Sequence, residues 1–582
     1  MGGPKAEAWG IAPGYHDISG RWRRPAPATE EALLAAMGAT AAAPDVGAGA
    51  LVVRAGDQRR VPEPELVTED GALLRLEGRL PADLPLGYHL LGGDGPERRL
   101  VVSPGECCLP AELRGFGFVV QLYALLSAGS AGIGDLADLG VLGRWARDEL
   151  GAAFLLINPL HAPLPGLPQE SSPYYPSSRR FLNPLYLRLE DVPGAEREAL
   201  NAEAHVDRDR VHQLKMGLLE AAWARSRGRA AAQVRRFRAE RPGLQEYAVF
   251  CALAETHGRS WRQWPQELRH PGSAAVGRFA RAQAGRVRFH EWLQMLLDRQ
   301  LRQAAGRPPG LINDLAVGGH PDGADAWAWQ DQLAGGVSVG APPDPFNAEG
   351  QDWGLPPFDP WRLRAAGYEP FLQTLRAAFR HAAGIRVDHV MGLFRLYWIP
   401  AGQGPAAGAY VRYPAAELLD ILALESVRAG AYVVGEDLGT VENEVRHELW
   451  RRRVLSYKLL WFEPGDPARY PEQALAALTT HDLPTLHGVW SGADPLPEVR
   501  ERLQRMPGAG ADVLLAAYRA LAAAPCRLLA ATLEDVAGMA QRPNLPGTVD
   551  EHPNWSLRLP LTVEQLMGDE RPRSVARILS RS

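Results

Sequence analysis

Three short segments of the sequence each close an apolar run on a carboxylate: Gly384-Ile-Arg-Val-Asp-His389, Tyr432-Val-Val-Gly-Glu-Asp-Leu-Gly439 and Thr479-Thr-His-Asp-Leu-Pro484. In the first, Arg386 and Asp388 stand two apart on a strand and so point to the same side. An arginine held beside an aspartate favours its ionised form, the form a nucleophile needs. In the second, Glu436 emerges from apolar surroundings that raise a carboxyl pKa, as a proton donor near neutral pH requires. Gly435 and Gly439 let the backbone come close to bulky neighbours, and Asp437 faces the other way, where it could cap the following helix. The third adds Asp482 and a donor, His481. Singly, each segment has a plain reading as a rim ion pair, a strand-end charge in water, or a turn. Together they suit glycoside chemistry, which needs one ionised carboxylate and one protonated acid on opposite sides of an anomeric carbon.

Other chemistries find less support. The 15 histidines include no H-E-x-x-H pair, and His481 and His487 are six apart, so no metal site is expected. There is no phosphate-binding G-x-x-x-x-G-K-[ST] loop and no G-x-S-x-G elbow, and Gly115-Phe-Gly117 does not complete a dinucleotide fingerprint. No cofactor is expected. A net charge of -5 gives no general attraction for nucleic acid. Cys107, Cys108, Cys251 and Cys526 show no C-x-x-C spacing, which suits a reducing cytoplasm. Met1 to Gly10 lacks an apolar export core. The most apolar stretch, Val513 to Leu533, is broken by Arg519, Pro525 and Arg527 and reads as a buried helix followed by a strand, with no membrane partner.

The carboxylates need a frame. After Pro110, eight apolar runs end in polar residues and alternate with helical or Gly/Pro-rich segments. They are Phe116 to Tyr123, Ala153 to Asn158, Gly310 to Asp314, Gly384 to Asp388, Tyr432 to Glu436, Val454 to Phe462, Ala474 to Asp482 and Arg527 to Glu534. Continuous apolar runs between helices imply a parallel sheet covered on both faces, and eight of them imply an α/β fold closed as a (β/α)8 TIM barrel. In such a barrel the site lies at the C-terminal strand ends, where the three carboxylates fall. Residues 195–305, rich in Ala, Leu, Glu and Arg with helical periodicity, read as a helical subdomain inserted in a barrel spanning 109–582. Residues 1–108 read as an accessory region with a short helix from Thr29 to Met37 and a small β-sandwich module between Leu51 and Ser103. Gly340 to Pro357 carries Phe346 and Trp353 among Gly, Pro and charged residues, poor company for core aromatics. It reads as a mobile loop that stacks on a ligand over the cleft.

The three segments resemble the signature regions of the α-amylase superfamily, and their detail is similar to the 4-α-glucanotransferase (amylomaltase, disproportionating enzyme) family. Further matching stretches are QLYALLSAGSAGIGDLADL from Gln121, INPLHA from Ile157, SPYYPSSRRFLNPLY from Ser172, INDLAVGGHPDGADAW from Ile312, VGAPPDPFNAEGQDWGLPPFDP from Val339, RVDHVMGLFRLYWIP from Arg386 and NLPGTVDEHPNW from Asn544. The resemblance covers most of Gly10 to Trp555. It implies Asp388 as nucleophile, Glu436 as general acid/base and Asp482 as the stabiliser that binds sugar hydroxyls. It also implies that Arg386 holds Asp388 ionised, that His481 donates to the same sugar, and that Asp314 is the polar residue of the first signature region. Tyr174, Trp353, Phe346 and His389 complete the sugar-contact candidates. The sequence departs from the family pattern at Leu126, where an Arg is common, and at Ala131, where a Trp is common. Pro345 stands where shorter members often have an aromatic residue. The implied activity transfers a segment of an α-1,4-glucan to the 4-hydroxyl of glucose or another glucan through a covalent glucosyl-Asp388. Hydrolysis by the same residues and silent glucan binding are the alternatives.

Overall fold

The computed structural model describes all residues except 1–2, 18, 46–48, 94, 96, 306–309, 344–346, 440, 550 and 581–582. Its centre is a closed barrel of eight parallel strands: β1 (Gly115–Val120), β2 (Phe154–Ile157), β3 (Gly310–Leu315), β4 (Gly384–Val387), β5 (Tyr432–Gly435), β6 (Leu455–Leu459), β7 (Ala474–Ala477) and β8 (Leu528–Thr532). Each falls on one of the eight apolar runs, with β1 starting one residue before its run and β3 ending one residue after. The strands pair in sequence order, and β8 closes against β1 with Leu528 opposite Gly115. Inward-facing Phe154, Ile312, Val434, Tyr457, Leu475 and Leu528 fill the interior, while helices cover the outside, so both strand faces are apolar. Gly384 makes room for the Tyr432 ring, which a Cβ at that position would meet at 2.6 Å.

The crossovers after β2, β3 and β4 are long and build the rim. Between β2 and β3 lie the pairing of His161–Ala162 with Ser178–Leu182 and a helical layer that includes Arg208–Ala239, Leu244–His257 and Ala284–Ala305. The next two crossovers supply a four-stranded antiparallel sheet, in the order Gln351–Leu355, Val337–Ala341, Arg395–Pro400, Ala409–Arg412. This corrects the reading of 340–357 as a loop. Gly340 and Ala341 face Asp352 and Gln351 across a hairpin, and Val339 and Leu355 are buried in an apolar cluster with Trp398. The sheet was hidden because Gly and Pro interrupt the alternation by which a strand is recognised. Residues 10–12 join its outer edge, with Ile11 bridging Val411.

The helix expected from Thr29 runs over Pro27–Ala36. The strands between Leu51 and Ser103 form one mixed sheet, in the order Leu51–Arg54, Arg98–Ser103, Gly87–Gly92, Glu65–Val67, Leu73–Arg75. The second layer against this sheet is a barrel helix, not another sheet. The strands bearing Val52 and Val101 pack on helix Ala415–Ala429, and both valines belong to one buried cluster with Leu418 and Leu422. The stretch from Val513 resolves into helix Val513–Ala522 and strand β8, and among the described residues no helix is long and apolar enough to cross a membrane.

Candidate active site

Strand register brings the first charged residues together. Asp314 on β3 lies directly opposite Arg386 on β4. The Arg386 Nη1 donates to both Asp314 oxygens at 2.7 Å and approaches Asp388 Oδ1 at 3.0 Å. All three sit at the C-terminal end of the barrel, where Asp388 extends β4 by pairing with Leu315 and Glu436 extends β5 by pairing with Val387. Asp388 and Glu436 therefore project from neighbouring strands, and Gly435 permits this approach because a Cβ there would press on Val390 at 3.1 Å.

The environment separates the acids. Burial raises the Asp388 pKa to about 6, with Arg386 pulling it down and the charges of Asp314 and Glu436 pushing it up. The guanidinium expected to hold Asp388 ionised is thus shared with Asp314, and Asp388 titrates above the usual aspartate range. Burial also raises Glu436, opposed by Arg386 and by two backbone donors. Those donors are Leu438 N, 2.8 Å from Oε1, and His389 N, 3.0 Å from Oε2. His389 has φ 46°, a left-handed conformation that a non-glycine residue keeps only where its surroundings impose it. The contribution of His389 to Glu436 is through its backbone. Its ring, which burial holds below the usual histidine range, meets the Trp353 indole edge-on at 5.4 Å.

Asp482 and His481 follow β7. The His481 Nε2 is 3.4 Å from Asp482 Oδ2, and Asn544 Nδ2 donates to Oδ1 at 2.6 Å. Burial acts to raise Asp482, but His481 and Asn544 outweigh it and the carboxyl lies below its usual value. Burial acts to lower His481, Asp482 outweighs it, and the imidazole lies above its usual value. The Tyr174 hydroxyl donates to Asp314 at 2.6 Å and stands 3.5 Å from His481 Nδ1. The rings of Tyr174, His481 and Trp555 lie within 5.2 Å of one another, centroid to centroid.

These groups border one open cleft of about 610 Å³, lined by Tyr174, Trp353, Asp388, His389, Glu436, His481 and Asp482. Arg386 and Asp314 lie beneath it, 5% and 1% exposed at the side chain, with Arg386 bridging Asp314 and Asp388. Phe346 lies outside the described residues. Asp437 does not cap a helix. It accepts from Ser456 Oγ at 2.6 Å and Tyr457 N at 2.9 Å, tying β5 to β6. Residue-by-residue reading missed Asn544 and Trp555, which line the far wall together with Leu545 to Val549. The available signal was the run Asn544-Leu-Pro-Gly547, whose turn residues mark a loop that follows the last barrel strand.

The family model for 4-α-glucanotransferases matches residues 120–562. The chain belongs to the 4-α-glucanotransferase family. It is 40% identical to the 4-α-glucanotransferase of Mycobacterium tuberculosis, with 98% of this chain and 96% of that protein covered. It is 34% identical to the Haemophilus influenzae 4-α-glucanotransferase over 84% of this chain and 82% of the relative. Among solved structures, the amylomaltase of Corynebacterium glutamicum superposes with a TM-score of 0.85 at 32% identity, covering 100% of this chain and 99% of that one. The Streptococcus agalactiae amylomaltase, solved in complex with acarbose, shares the fold at a TM-score of 0.70 and 18% identity over 80% of this chain and 98% of its own. The matched span runs from the end of β1 past Trp555, so seven of the eight barrel strands, the long crossovers and the cleft lie inside what the family shares.

Proposed function

We propose that this member of the 4-α-glucanotransferase family moves segments of α-1,4-glucans between maltooligosaccharides by a retaining double displacement. The observation that carries this reading is the unequal environment of three carboxyls on one cleft. Asp388 is raised to about 6 but still ionised near neutrality, Glu436 is raised, and Asp482 is lowered. In the first half-reaction Asp388 attacks the anomeric carbon of the donor while Glu436 gives its proton to the departing O4. The bond from C1 to O4 breaks as the bond from C1 to Asp388 forms. In the second, Glu436 takes the proton of the 4-hydroxyl of glucose or another glucan, and that oxygen displaces Asp388 from C1. Asp482, with His481 and Asn544 fixing its charge and position, binds hydroxyls of the same sugar. Trp353 offers a stacking face and displaces water from the covalent sugar, which favours an acceptor over hydrolysis.

We further read residues 1–108 as an accessory region, 109–582 as the catalytic barrel and 195–305 as its insertion. The four free cysteines, three of them buried, support a reducing compartment, the cytoplasm.

Incubation with maltotriose tests the activity. The expected products are glucose and a ladder of longer maltodextrins, with total reducing ends nearly constant because each transfer conserves the number of glycosidic bonds. Reducing ends that rise in step with donor consumption, with no product longer than the donor, would establish hydrolysis instead.

A further inference from the structure

Trp450 is 58% exposed, more than any other tryptophan described. It lies on helix Asn443–Arg451, with one face packed nearly parallel on His447 at 5.9 Å and 24°. It borders a cavity of about 390 Å³ whose other walls include Arg54, Glu106, Arg451, Arg452, Arg453 and Gln473. That volume falls within the roughly 300–1,000 Å³ typical of small-ligand pockets. Arg453 lies two residues before β6 and Gln473 one residue before β7. The cavity is therefore at the N-terminal end of the barrel, opposite the catalytic carboxylates, and Arg54 reaches it from the N-terminal sheet.

Its chemistry is that of a site for a neutral polyhydroxylated ring. Each guanidinium on the rim is partnered by a carboxylate: Arg453 by Glu106 at 2.7 Å, Arg54 by Asp420 at 3.4 Å and Arg451 by Glu448 at 3.4 Å. Arg452, 2% exposed at the side chain, pairs with both Asp420 and Glu448 and keeps an Nη2 with no hydrogen-bond partner. Four arginines thus face three carboxylates, and little positive charge is left over for an anion. What remains is an array of donors and acceptors side by side, which matches hydroxyls that both donate and accept, beside an aromatic face that matches the C–H face of a sugar.

We propose that this cavity binds a segment of α-1,4-glucan, with Trp450 stacked on a sugar ring. The identity of the sugar rests on the function proposed above. A polymeric donor held here stays near the enzyme through many turnovers and raises the effective concentration of chain ends at the cleft. Maltotriose, too short to engage both ends of the barrel, gains nothing.

The test compares wild type, Trp450→Ala and Trp450→Phe by native electrophoresis through gels containing soluble glycogen, and by initial rates with maltotriose and with glycogen plus glucose. The expected result for Trp450→Ala is about five- to tenfold weaker retardation by glycogen, the size of one lost aromatic contact. KM for the polymer should rise in parallel, while kcat/KM for maltotriose stays within about twofold, since the substitution leaves the cleft intact. Trp450→Phe should recover most of the retardation. Unchanged retardation in Trp450→Ala would overturn the proposal. So would an equal loss of maltotriose turnover, which would mark a structural effect, or displacement of glycogen from wild type by inorganic phosphate, which would mark an anion site. Wild type that leaves maltotriose unchanged would refute the proposed function instead, and Trp450-dependent retardation is read independently of that result.

Discussion

Replacing Asp314 by asparagine isolates how the site sets the charge on Asp388, the proposed nucleophile. The Arg386 Nη1 lies 2.7 Å from each Asp314 oxygen and 3.0 Å from Asp388 Oδ1. The facing oxygens of the two aspartates are therefore at most 2.7 + 3.0 = 5.7 Å apart. Two unit charges at about that distance, in an effective dielectric of about 20, repel by about 3 kcal/mol, or about two pKa units. Asp388 is 21% exposed at the side chain, and screening at that exposure brings the expected shift to about one unit. Asp314→Asn removes the repulsion and leaves Arg386 to Asp388 alone, so the Asp388 pKa falls from about 6 toward about 5. On the proposed mechanism Asp388 must be ionised, so activity should decline as pH falls through this pKa. The acid limb of kcat/KM against pH, measured with maltotriose, should therefore move down by about one pH unit. Because Asp388 and Glu436 interact, the limb reports the pair, and the comparison of variant with wild type carries the inference. A folded Asp314→Asn enzyme whose acid limb stays in place or moves up would refute this account of Arg386.

Five further outcomes follow from the same geometry. Asp388→Asn should lose several orders of magnitude in turnover. Glu436→Gln should lose about 10²–10⁴-fold with maltotriose but recover in part with a donor whose leaving group needs no proton, as steady-state rates would show. Tyr174→Phe removes the 2.6 Å bond to Asp314 and leaves the ring stack in place. It should lower kcat/KM by about tenfold, from a loss of about 1.5 kcal/mol for a bond to a charged group, with KM little changed. Asn544→Asp sets a second carboxylate against Asp482 Oδ1 and should harm maltotriose turnover more than Asn544→Ala. Trp353→Ala should weaken binding of maltoheptaose, followed by calorimetry, more than it slows chemistry on a small activated donor.

The barrel was readable in the sequence because strands buried on both faces appear as unbroken apolar runs. Its site was readable because the residues that end those runs lie at the open end of the barrel. Asp388, Glu436 and Asp482 end three of those runs and line one cleft, and Asp314 ends another and lies beneath it. What was missed depends on contacts between segments distant in sequence. Asn544 matters because of its bond to Asp482, 62 residues away. Trp555 matters because Tyr174 and His481 meet its ring. The part played by His389 lies in a left-handed backbone, which a histidine does not advertise. The sheet bearing Trp353 pairs strands from two separate crossovers, and no local pattern records such a pairing.

The edge contact of residues 10–12 with the sheet that carries Trp353 also orders events during synthesis. Ile11 pairs with Val411, and Ala12 N bonds Tyr410 O, a separation of 411 − 11 = 400 residues along the chain. At roughly 5–20 residues per second, the ribosome delivers the partner about 20–80 s after Ile11 has been made. Until then Ile11, buried in the finished protein, lacks its pairing partner. β1 waits longer still for β8, since Leu528 pairs with Gly115. The barrel is thus closed only after β8 has been made, and until then the nascent chain exposes an unpaired strand edge.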